Sequence, residues 1–224
     1  MNRKGFIFDL DGVIVDTAKY HYLAWKKLAN SIGIDFGEKQ NEQLKGVSRV
    51  RSLEKILSWG NVILEDAKFT ELMSLKNEDY LKYITKMDES EILPDVNRVM
   101  SYLISKNQHI ALGSASKNAR EILKQVNLKN VFEVIVDGTN VSKAKPDPEV
   151  FLNAAEQLRV SPENCVVFED SVAGIQAANK AQMISIGIGD TNVLHEADYN
   201  FRNFTEMNEQ FIDKLIKKRK ENLK

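Results

Sequence analysis

The sequence predicts an α/β protein with a Rossmann-like, doubly wound parallel sheet and a helical cap domain inserted after the first strand. Short apolar runs alternate with helical patterns along most of the chain, as in repeated βαβ units. The runs are continuously apolar, which indicates strands buried on both faces of a parallel sheet. One long stretch, from about residue 18 to residue 87, has helical periodicity and no convincing strand.

Five runs rich in Ile, Val and Phe are the strand candidates. Helical stretches follow three of them, so each of these runs begins a βαβ unit. The helical stretches are NAREILKQVN, PEVFLNAAEQL and AGIQAANKA. The strand candidates are GFIFD, HIALGS, FEVIVDG, CVVFED and MISIGIG.

The helical insert begins after Thr17, a suitable N-cap residue, and its first helix stops at Gly33. We expect residues 17–87 to form the cap domain and residues 1–16 and 88–224 to form the core. The hinges are the segments IVDT and DESEILPD. A long cap helix in EDAKFTELMSLKNEDYLKYITKM carries an apolar face formed by Phe69, Leu72, Tyr80, Tyr83 and Met87.

Composition excludes several classes of partner. The 224 residues include 31 Lys and Arg against 32 Asp and Glu, so neither a nucleic acid nor a membrane surface is expected to bind. The chain has no signal-peptide pattern and a single cysteine, Cys165, in an apolar run. We therefore expect a cytoplasmic monomer that acts on small molecules, with Cys165 as a packed side chain.

Four polar clusters directly follow predicted strands. In a parallel α/β sheet the carboxyl ends of the strands form one crevice, so we expect these clusters to converge. The clusters are Asp9 with Asp11, residues 114–118, Lys145 in the loop after the third strand, and Glu169 with Asp170.

The chemistry of these clusters indicates phosphoryl transfer. Clustered carboxylates require a cation, and an oxygen-only ligand set suits Mg²⁺. Ser114, Ser116 and the amides that open the next helix are phosphate donors, and Lys145 can neutralise a phosphoryl group. The spacing of the acidic pair then predicts Asp9 as the nucleophile and Asp11 as the general acid and base.

Structural roles are the alternatives for the same residues. Ser114, Ser116, Glu169 and Asp170 are all suited to capping a helix, and a loop lysine such as Lys145 usually faces solvent. In the cap, His21 can be structural, Trp25 can belong to a core, and Arg49 can pair with Glu54.

The motifs FDLDGVIVDT, SAS, KPDP and EDSVAGIQAA, in this order, resemble the four motifs of the haloacid dehalogenase superfamily of phosphotransferases. The resemblance covers essentially the whole chain, and the helical insert matches the cap domain of that family. It implies the family's fold, its use of Mg²⁺ and an aspartyl-phosphate intermediate on Asp9. Gly113, before the SAS run, is a small departure that we expect to loosen the strand end.

Further segments, HYLAW, QLKGVSR, LKN, SASKN and FEDS, are similar to those of the sugar-phosphate mutases in this family. The resemblance implies interconversion of β-glucose 1-phosphate and glucose 6-phosphate, with glucose 1,6-bisphosphate as the priming phosphodonor. By resemblance, the metal ligands are Asp9, the Asp11 backbone carbonyl, Glu169 and Asp170.

The same resemblance assigns the binding residues. Ser114, Ala115 and Lys145 hold the transferring phosphate, and His21 with Lys76 positions Asp11. Thr17 couples cap closure to Asp11 at the hinge. The distant phosphate is held by Arg49, Ser116, Lys117 and Asn118. The cap side of the site is lined by Trp25, Lys45, Gly46, Val47, Ser48 and Ser52.

Three other functions compete with a mutase. A sugar-phosphate or phosphoglycolate-type phosphatase needs one phosphate site and an attacking water, whereas a mutase holds both ends of a bisphosphate and excludes water. A phospho-accepting signalling module combines similar groups around Mg²⁺ but is much shorter and lacks the insert. A structural protein with a vestigial site is disfavoured because no catalytic position is missing.

Overall fold

The computed structural model describes residues 3–44 and 47–218. Lys45 and Gly46, both predicted to line the cap side of the site, lie outside the described residues. The described strands form one parallel sheet in the order β3-β2-β1-β4-β5-β6, with the first strand at its centre. The strands are β1 (Gly5–Phe8), β2 (His109–Gly113), β3 (Val134–Val136), β4 (Cys165–Glu169), β5 (Ile184–Ile188) and β6 (Tyr199–Phe201).

The α-helices divide into two groups. Four lie between the two hinge segments, and no described strand interrupts them. This confirms a helical cap inserted after the first strand. These are α1 (Ala18–Ser31), α2 (Glu38–Glu42), α3 (Arg49–Trp59) and α4 (Asp66–Ile84). The others alternate with the later strands and are α5 (Val96–Ser105), α6 (Ala119–Gln125), α7 (Glu149–Leu158), α8 (Val172–Lys180) and α9 (Glu209–Lys217).

Helices cover both faces of the sheet, as the continuous apolar strands predict. Every residue of β1 is buried. Phe6 and Phe8 point into one hydrophobic layer, whereas Ile7 between them points into the other. Alternate residues of a strand face opposite sides, so a strand between two helical layers has no polar face.

The cap has a hydrophobic cluster of its own. Trp25 and Leu28 of α1 pack with Leu53 and Ile56 of α3 and with Phe36 from the intervening loop. Leu72 of α4 is in the same cluster. A separate cluster allows the cap to keep its own packing beside the core.

The hinge consists of two short backbone connections that run side by side. Val15 forms an isolated antiparallel bridge with Ile92, and Leu93 N donates to Ile14 O at 2.9 Å. The Glu91 carboxylate accepts hydrogen bonds from Lys19 and Tyr20 at the start of α1. The two hinge segments predicted from the sequence therefore contact each other.

The sixth strand was absent from the sequence prediction. Tyr199–Phe201 has three residues and pairs only with β5 at the edge of the sheet, where its side chains are partly exposed. A short, half-exposed edge strand lacks the continuous apolar pattern that identifies the buried strands. No helix among the described residues has both the length and the apolar character needed to span a membrane.

Candidate active site

The chain turns sharply where β1 ends, and this turn carries both predicted catalytic acids. Asp9 N donates to Phe168 O at 2.9 Å, so Asp9 directly follows the last sheet position of β1. Gly12 has φ +79°, a conformation that favours glycine. A Cβ added to Gly12 would lie 2.1 Å from Asp170 Oδ2, so Asp170 reaches the same turn.

Lys145 joins two of the predicted clusters. Its Nζ donates to Asp9 Oδ1 at 2.5 Å, to Glu169 Oε1 at 2.6 Å and to Gly113 O at 3.2 Å. The Lys145 side chain is only 1% exposed, so the solvent-facing alternative is wrong. The loop that contains Lys145 therefore contacts the ends of three strands, β1, β2 and β4.

The carboxylates in this cluster outnumber the available positive charge. The pKa of Asp9 is raised to about 7, chiefly by burial and also by the nearby Glu169 and Asp11 carboxylates, against the lowering effect of Lys145. Burial also raises the pKa of Asp11, against the effect of its hydrogen bond with Thr17. Despite burial, the two carboxylates that contact Lys145 hold its pKa above the ordinary value. One ammonium among several acids leaves a site that favours a further cation.

Asp11 points away from Lys145, toward the cap. Its Oδ1 accepts a hydrogen bond from the Thr17 hydroxyl and lies 3.9 Å from His21 Nε2. Thr17 is fully buried at the N-cap position of α1 but does not cap that helix. Its side chain instead holds Asp11, which is consistent with the predicted hinge role.

Lys76 fixes the orientation of the His21 ring. Lys76 Nζ lies 3.0 Å from His21 Nδ1. Burial, Lys76 and Arg49 hold the pKa of His21 well below its ordinary value, so the ring is neutral. When Lys76 is protonated it can only donate, so Nδ1 is then the acceptor and the hydrogen of the neutral ring is on Nε2, which faces Asp11.

Two aromatic rings of the cap contact the ammonium group of Lys76. Its Nζ lies 4.7 Å from the Trp25 ring centroid and 4.5 Å from that of Tyr80, and the Tyr80 ring is tilted by 36° against the His21 ring at a centroid distance of 4.3 Å. Trp25 therefore belongs to the hydrophobic cluster of the cap, as the structural alternative has it, and also contacts Lys76. The sequence predicts Tyr80 only as part of an apolar helix face, and its i, i+4 spacing from Lys76 is the signal that could have predicted this contact.

The loop after β2 is held by its own hydrogen bonds. Ser114 is fully buried, and its Oγ accepts from Ser116 N at 3.1 Å. Ser116 Oγ accepts from Asn118 N at 3.3 Å, and Lys117 is exposed. Asn118 occupies the N-cap position of α6 without capping it, and its Nδ2 donates to Asn77 Oδ1 of the cap at 3.0 Å.

In the loop after β4, the residue that caps the next helix is not one of the two predicted site acids. Ser171 is the N-cap of α8 and accepts from Gly174 N, so Glu169 and Asp170 are not the caps. Glu169 Oε2 accepts from both the backbone and the hydroxyl of Ser171 at 2.8 Å. Its carboxylate packs over Gly174, where a Cβ would lie 1.8 Å from Glu169 Cδ.

Arg49 lies close enough to Lys76 and His21 for its charge to affect both. It is half-buried, and its charge lowers the pKa values of both Lys76 and His21. The alternative pairing with Glu54 is wrong, because Glu54 pairs with Arg51 at 2.9 Å.

The remaining described cap-side residues surround the start of α3. Ser48 is its N-cap and accepts from Arg51 N at 3.4 Å, so capping explains this serine. Val47 precedes it in the same connection, and Ser52 is buried one turn into the helix. These positions give Val47 and Ser52 no specific contact with the acidic cluster.

Gly113 tightens the packing rather than loosening the strand end. A Cβ added there would lie 2.8 Å from Phe151 Cδ1 and 3.0 Å from Ile7 Cγ2. Its carbonyl also accepts the third hydrogen bond from Lys145. The departure from the family pattern therefore reflects close packing of β2 against α7.

The acidic side chains of this cluster are not arranged around one common position where an ion could bind. Among residues 3–44 and 47–218, no three His, Cys, Asp or Glu side chains form a group placed to hold a metal ion. Lys145 lies between Asp9 and Glu169 and bonds to both. The donor chemistry is nevertheless all oxygen, with an excess of negative charge.

Comparison with known proteins places this geometry in a family. A family model for haloacid dehalogenase-like hydrolases matches residues 3–182. The chain is 44% identical over 206 residues to a β-phosphoglucomutase of Bacillus subtilis, covering 91% of both chains. It is 32% identical over 183 residues to a phosphorylated carbohydrates phosphatase of Thermotoga maritima, covering 78% of this chain and 80% of the relative.

A solved structure has the same architecture. The crystal structure of a β-phosphoglucomutase from Clostridium difficile superimposes with a TM-score of 0.92 at 39% identity, covering 96% of this chain and 98% of that one. The similarity includes the cap as well as the sheet. The chain belongs to the haloacid dehalogenase-like hydrolase family.

Proposed function

We propose that the protein is a β-phosphoglucomutase that interconverts β-glucose 1-phosphate and glucose 6-phosphate. The observation that carries this proposal is the 44% identity to the Bacillus subtilis enzyme over 91% of both chains. A match of that length includes the cap, which is the part that distinguishes a mutase from a phosphatase on a shared core. The phosphatase relative is less similar, at 32% identity.

Asp9 is the proposed nucleophile. A carboxylate oxygen of Asp9 forms a bond to phosphorus, and the bond between phosphorus and the sugar oxygen breaks, which gives an aspartyl-phosphate. Lys145, which contacts Asp9 at 2.5 Å, supports this role because its ammonium can neutralise charge on the transferring group. Ser114 and Ala115 are the other proposed ligands of that group.

Asp11 is the proposed general acid and base. It protonates the departing sugar oxygen in one direction and removes the proton of the attacking hydroxyl in the other. Two contacts support this role: the Thr17 hydroxyl bonds to Asp11 Oδ1, and His21 Nε2 faces the same oxygen at 3.9 Å. Lys76 acts through His21 as a positioning residue.

The distant phosphate is proposed to bind between cap and core. Arg49 contributes a planar guanidinium from the cap. Ser116, Lys117 and Asn118 contribute donors from the core, and Asn118 already contacts the cap. A site divided between the two parts is complete only when the cap covers the core, which excludes water from the phosphoenzyme.

Family membership implies a divalent metal, and we propose Mg²⁺. The donor set fits, because oxygen ligands suit this ion and the site has more carboxylates than cations. The residues that would hold it are Asp9, the Asp11 carbonyl, Glu169 and Asp170. When bound, Mg²⁺ supplies positive charge that stabilises the transferring phosphoryl group.

The test is incubation with β-glucose 1-phosphate, Mg²⁺ and a trace of glucose 1,6-bisphosphate as primer, followed by identification of the products. We expect glucose 6-phosphate with little release of inorganic phosphate. The α anomer is the matched control substrate. Stoichiometric release of phosphate without glucose 6-phosphate would show a phosphatase instead, and sustained turnover rejects a purely signalling role.

The domain boundaries and assembly state are proposals as well. We place the core at residues 1–16 and 88–224 and the cap at residues 17–87, because the connections at Val15 and Ile92 pair at the hinge. We propose a cytoplasmic monomer with sugar phosphates as its only partners. Buried Cys165, whose pKa burial raises to about 12, supports a packed thiol. Light scattering after size exclusion tests the monomer.

A further inference from the structure

Asn77 and Asn118 form a hydrogen bond across the cleft between cap and core. Asn118 Nδ2 donates to Asn77 Oδ1 at 3.0 Å, and both residues are half-buried. Asn77 belongs to α4 of the cap, whereas Asn118 follows the phosphate-binding loop of the core. Asn77 has no role in the assignments above.

Because its side chain makes this bond, Asn118 does not cap its own helix. An asparagine at an N-cap position usually accepts hydrogen bonds from the first turn of its own helix, and this contributes stability. The Asn118 side chain makes no such bond to α6. Its amide is turned toward the cap helix instead, so its orientation is set by Asn77.

The donor count shows what this orientation provides. A primary amide has two N–H donors and one carbonyl acceptor, and the two ends of the group exchange when it flips. Because Asn77 Oδ1 accepts one N–H, the amide cannot flip without losing that bond. The second N–H then remains available to a ligand in the cleft.

Asn77 is also adjacent to the residue that orients the general acid and base. Lys76 contacts His21, while the next side chain on α4 contacts Asn118. One turn of α4 therefore touches both the Asp11 group and the loop proposed to bind the distant phosphate. Cap closure that brings one contact into place brings the other with it.

We infer that Asn77 is a positioning residue for the distant phosphate, acting through the amide of Asn118. This inference rests on the proposed mutase function. It predicts that Asn77 matters for ligands with a second phosphate and much less for a donor that has only the transferring one.

The test compares Asn77→Ala, Asn118→Ala and the double variant. We expect Asn77→Ala to weaken equilibrium binding of glucose 1,6-bisphosphate and to raise KM for β-glucose 1-phosphate by about three- to tenfold, the effect of one lost neutral hydrogen bond. In the Asn118→Ala background the same change should alter affinity less than about twofold. Acetyl phosphate has only one phosphate. The rate at which it phosphorylates Asp9 should therefore fall by a smaller factor in Asn77→Ala than the affinity for glucose 1,6-bisphosphate does.

Glu78→Ala is the matched control, because Glu78 is the next residue on α4 and is exposed. The inference would be overturned if Asn77→Ala weakened bisphosphate binding equally in the unmodified protein and in the Asn118→Ala background. An equal fall in the rate of phosphorylation by acetyl phosphate, or an equal loss of affinity in Glu78→Ala, would overturn it as well. Failure of the proposed function has a different signature, since the unmodified protein would then produce no glucose 6-phosphate at all.

Discussion

Asp9 and Asp11 are separated by one residue, yet their side chains have different partners. Asp9 bonds to Lys145 inside the core, whereas Asp11 bonds to Thr17 and faces His21 of the cap. The chain turns immediately after Asp11, at Gly12, which has φ +79°. The two acids therefore have separate surroundings, which separate roles require.

The first prediction concerns the proposed nucleophile. Asp9→Asn should abolish phosphoenzyme formation, because an amide oxygen is a poor nucleophile and the acyl phosphate cannot form. Mass spectrometry of the intact protein after exposure to glucose 1,6-bisphosphate measures this. Asp190→Asn, an exposed acid that follows β5, is the control. A phosphorylated Asp9→Asn protein would contradict the assignment.

The second prediction concerns the proton. Asp11→Asn should slow transfer to and from the sugar by about two to four orders of magnitude, since positioned acid–base groups contribute that much. Rapid-quench measurement of glucose 6-phosphate formation checks it. Normal turnover in this variant would exclude Asp11 as the acid and base.

Lys76 is an ionisable residue enclosed by aromatic rings. Its pKa is lowered from 10.5 to about 7, chiefly by burial and also by the charge of Arg49, against the raising effect of Asp11. A lysine whose pKa falls on folding binds fewer protons in the folded state than in the unfolded chain. Lys76 therefore lowers the free energy of unfolding by the full amount below pH 7, by a decreasing amount between pH 7 and 10.5, and not at all above pH 10.5.

The third prediction follows from that linkage. Lys76→Met should raise the free energy of unfolding by about 1–3 kcal/mol at pH 7, with a gain that shrinks toward pH 10. Activity should fall because His21 loses its donor. Urea unfolding between pH 6 and 10 measures the effect. Lys68→Met, at an exposed position of α4, should change stability little at any pH, and a pH-independent gain for Lys76→Met would contradict the assigned cause.

At the scale of elements, α4 and β2 show two ways in which sequence pattern relates to structure. The buried row of α4 is Leu72, Lys76, Tyr80 and Ile84, an i, i+4 series. Leu72 and Tyr80 belong to the predicted apolar face, whereas Ile84 does not, and the predicted Met87 lies beyond the end of the helix. Gly113 of β2 is different, because its neighbours Phe151 and Ile7 are distant in sequence. Its packing role was invisible in the sequence for that reason.

The fourth prediction tests this packing. Gly113→Ala should destabilise the protein by about 1–3 kcal/mol, because the new methyl group would lie 2.8 Å from the Phe151 ring. It should also displace the carbonyl that Lys145 contacts. Thermal unfolding measures the loss. Gly37→Ala, where the nearest contact is Gln40 Oε1 at 3.3 Å, is the control, and equal stability of the two variants would contradict the packing argument.

At the scale of the whole molecule, the site exists only where cap and core face each other. The core contributes the acids, Lys145 and the loop after β2, whereas the cap contributes His21, Lys76 and Arg49. Contacts at the hinge and between Asn77 and Asn118 join the two parts. Under the proposed function, we therefore expect discrimination between sugar transfer and hydrolysis to depend on the cap covering the core.

The fifth prediction separates these two reactions. Arg49→Ala should reduce the mutase rate by about ten- to a hundredfold, because the distant phosphate loses a charged ligand, while release of inorganic phosphate falls much less. Parallel assays of glucose 6-phosphate and free phosphate measure the ratio. Arg51→Ala, which removes an exposed pair with Glu54, is the control. Equal losses in both reactions would count against a second phosphate site.

The sequence by itself determined the local features of this protein. Continuous apolar runs predicted five of the six described strands, because both faces of the central sheet are buried and leave no polar alternation. The helical insert followed from periodicity, and the convergence of Asp9, Lys145 and Glu169 followed from the rule that strand ends share one edge.

Tertiary structure decided what depends on distant neighbours. The edge strand Tyr199–Phe201, the position of Lys145 between two acids and the Asn77–Asn118 bond all join residues far apart in the chain. Periodicity reports whether a side chain is buried, but not which side chain it meets. Partners, distances and shifted pKa values arise only when packing brings separate segments together.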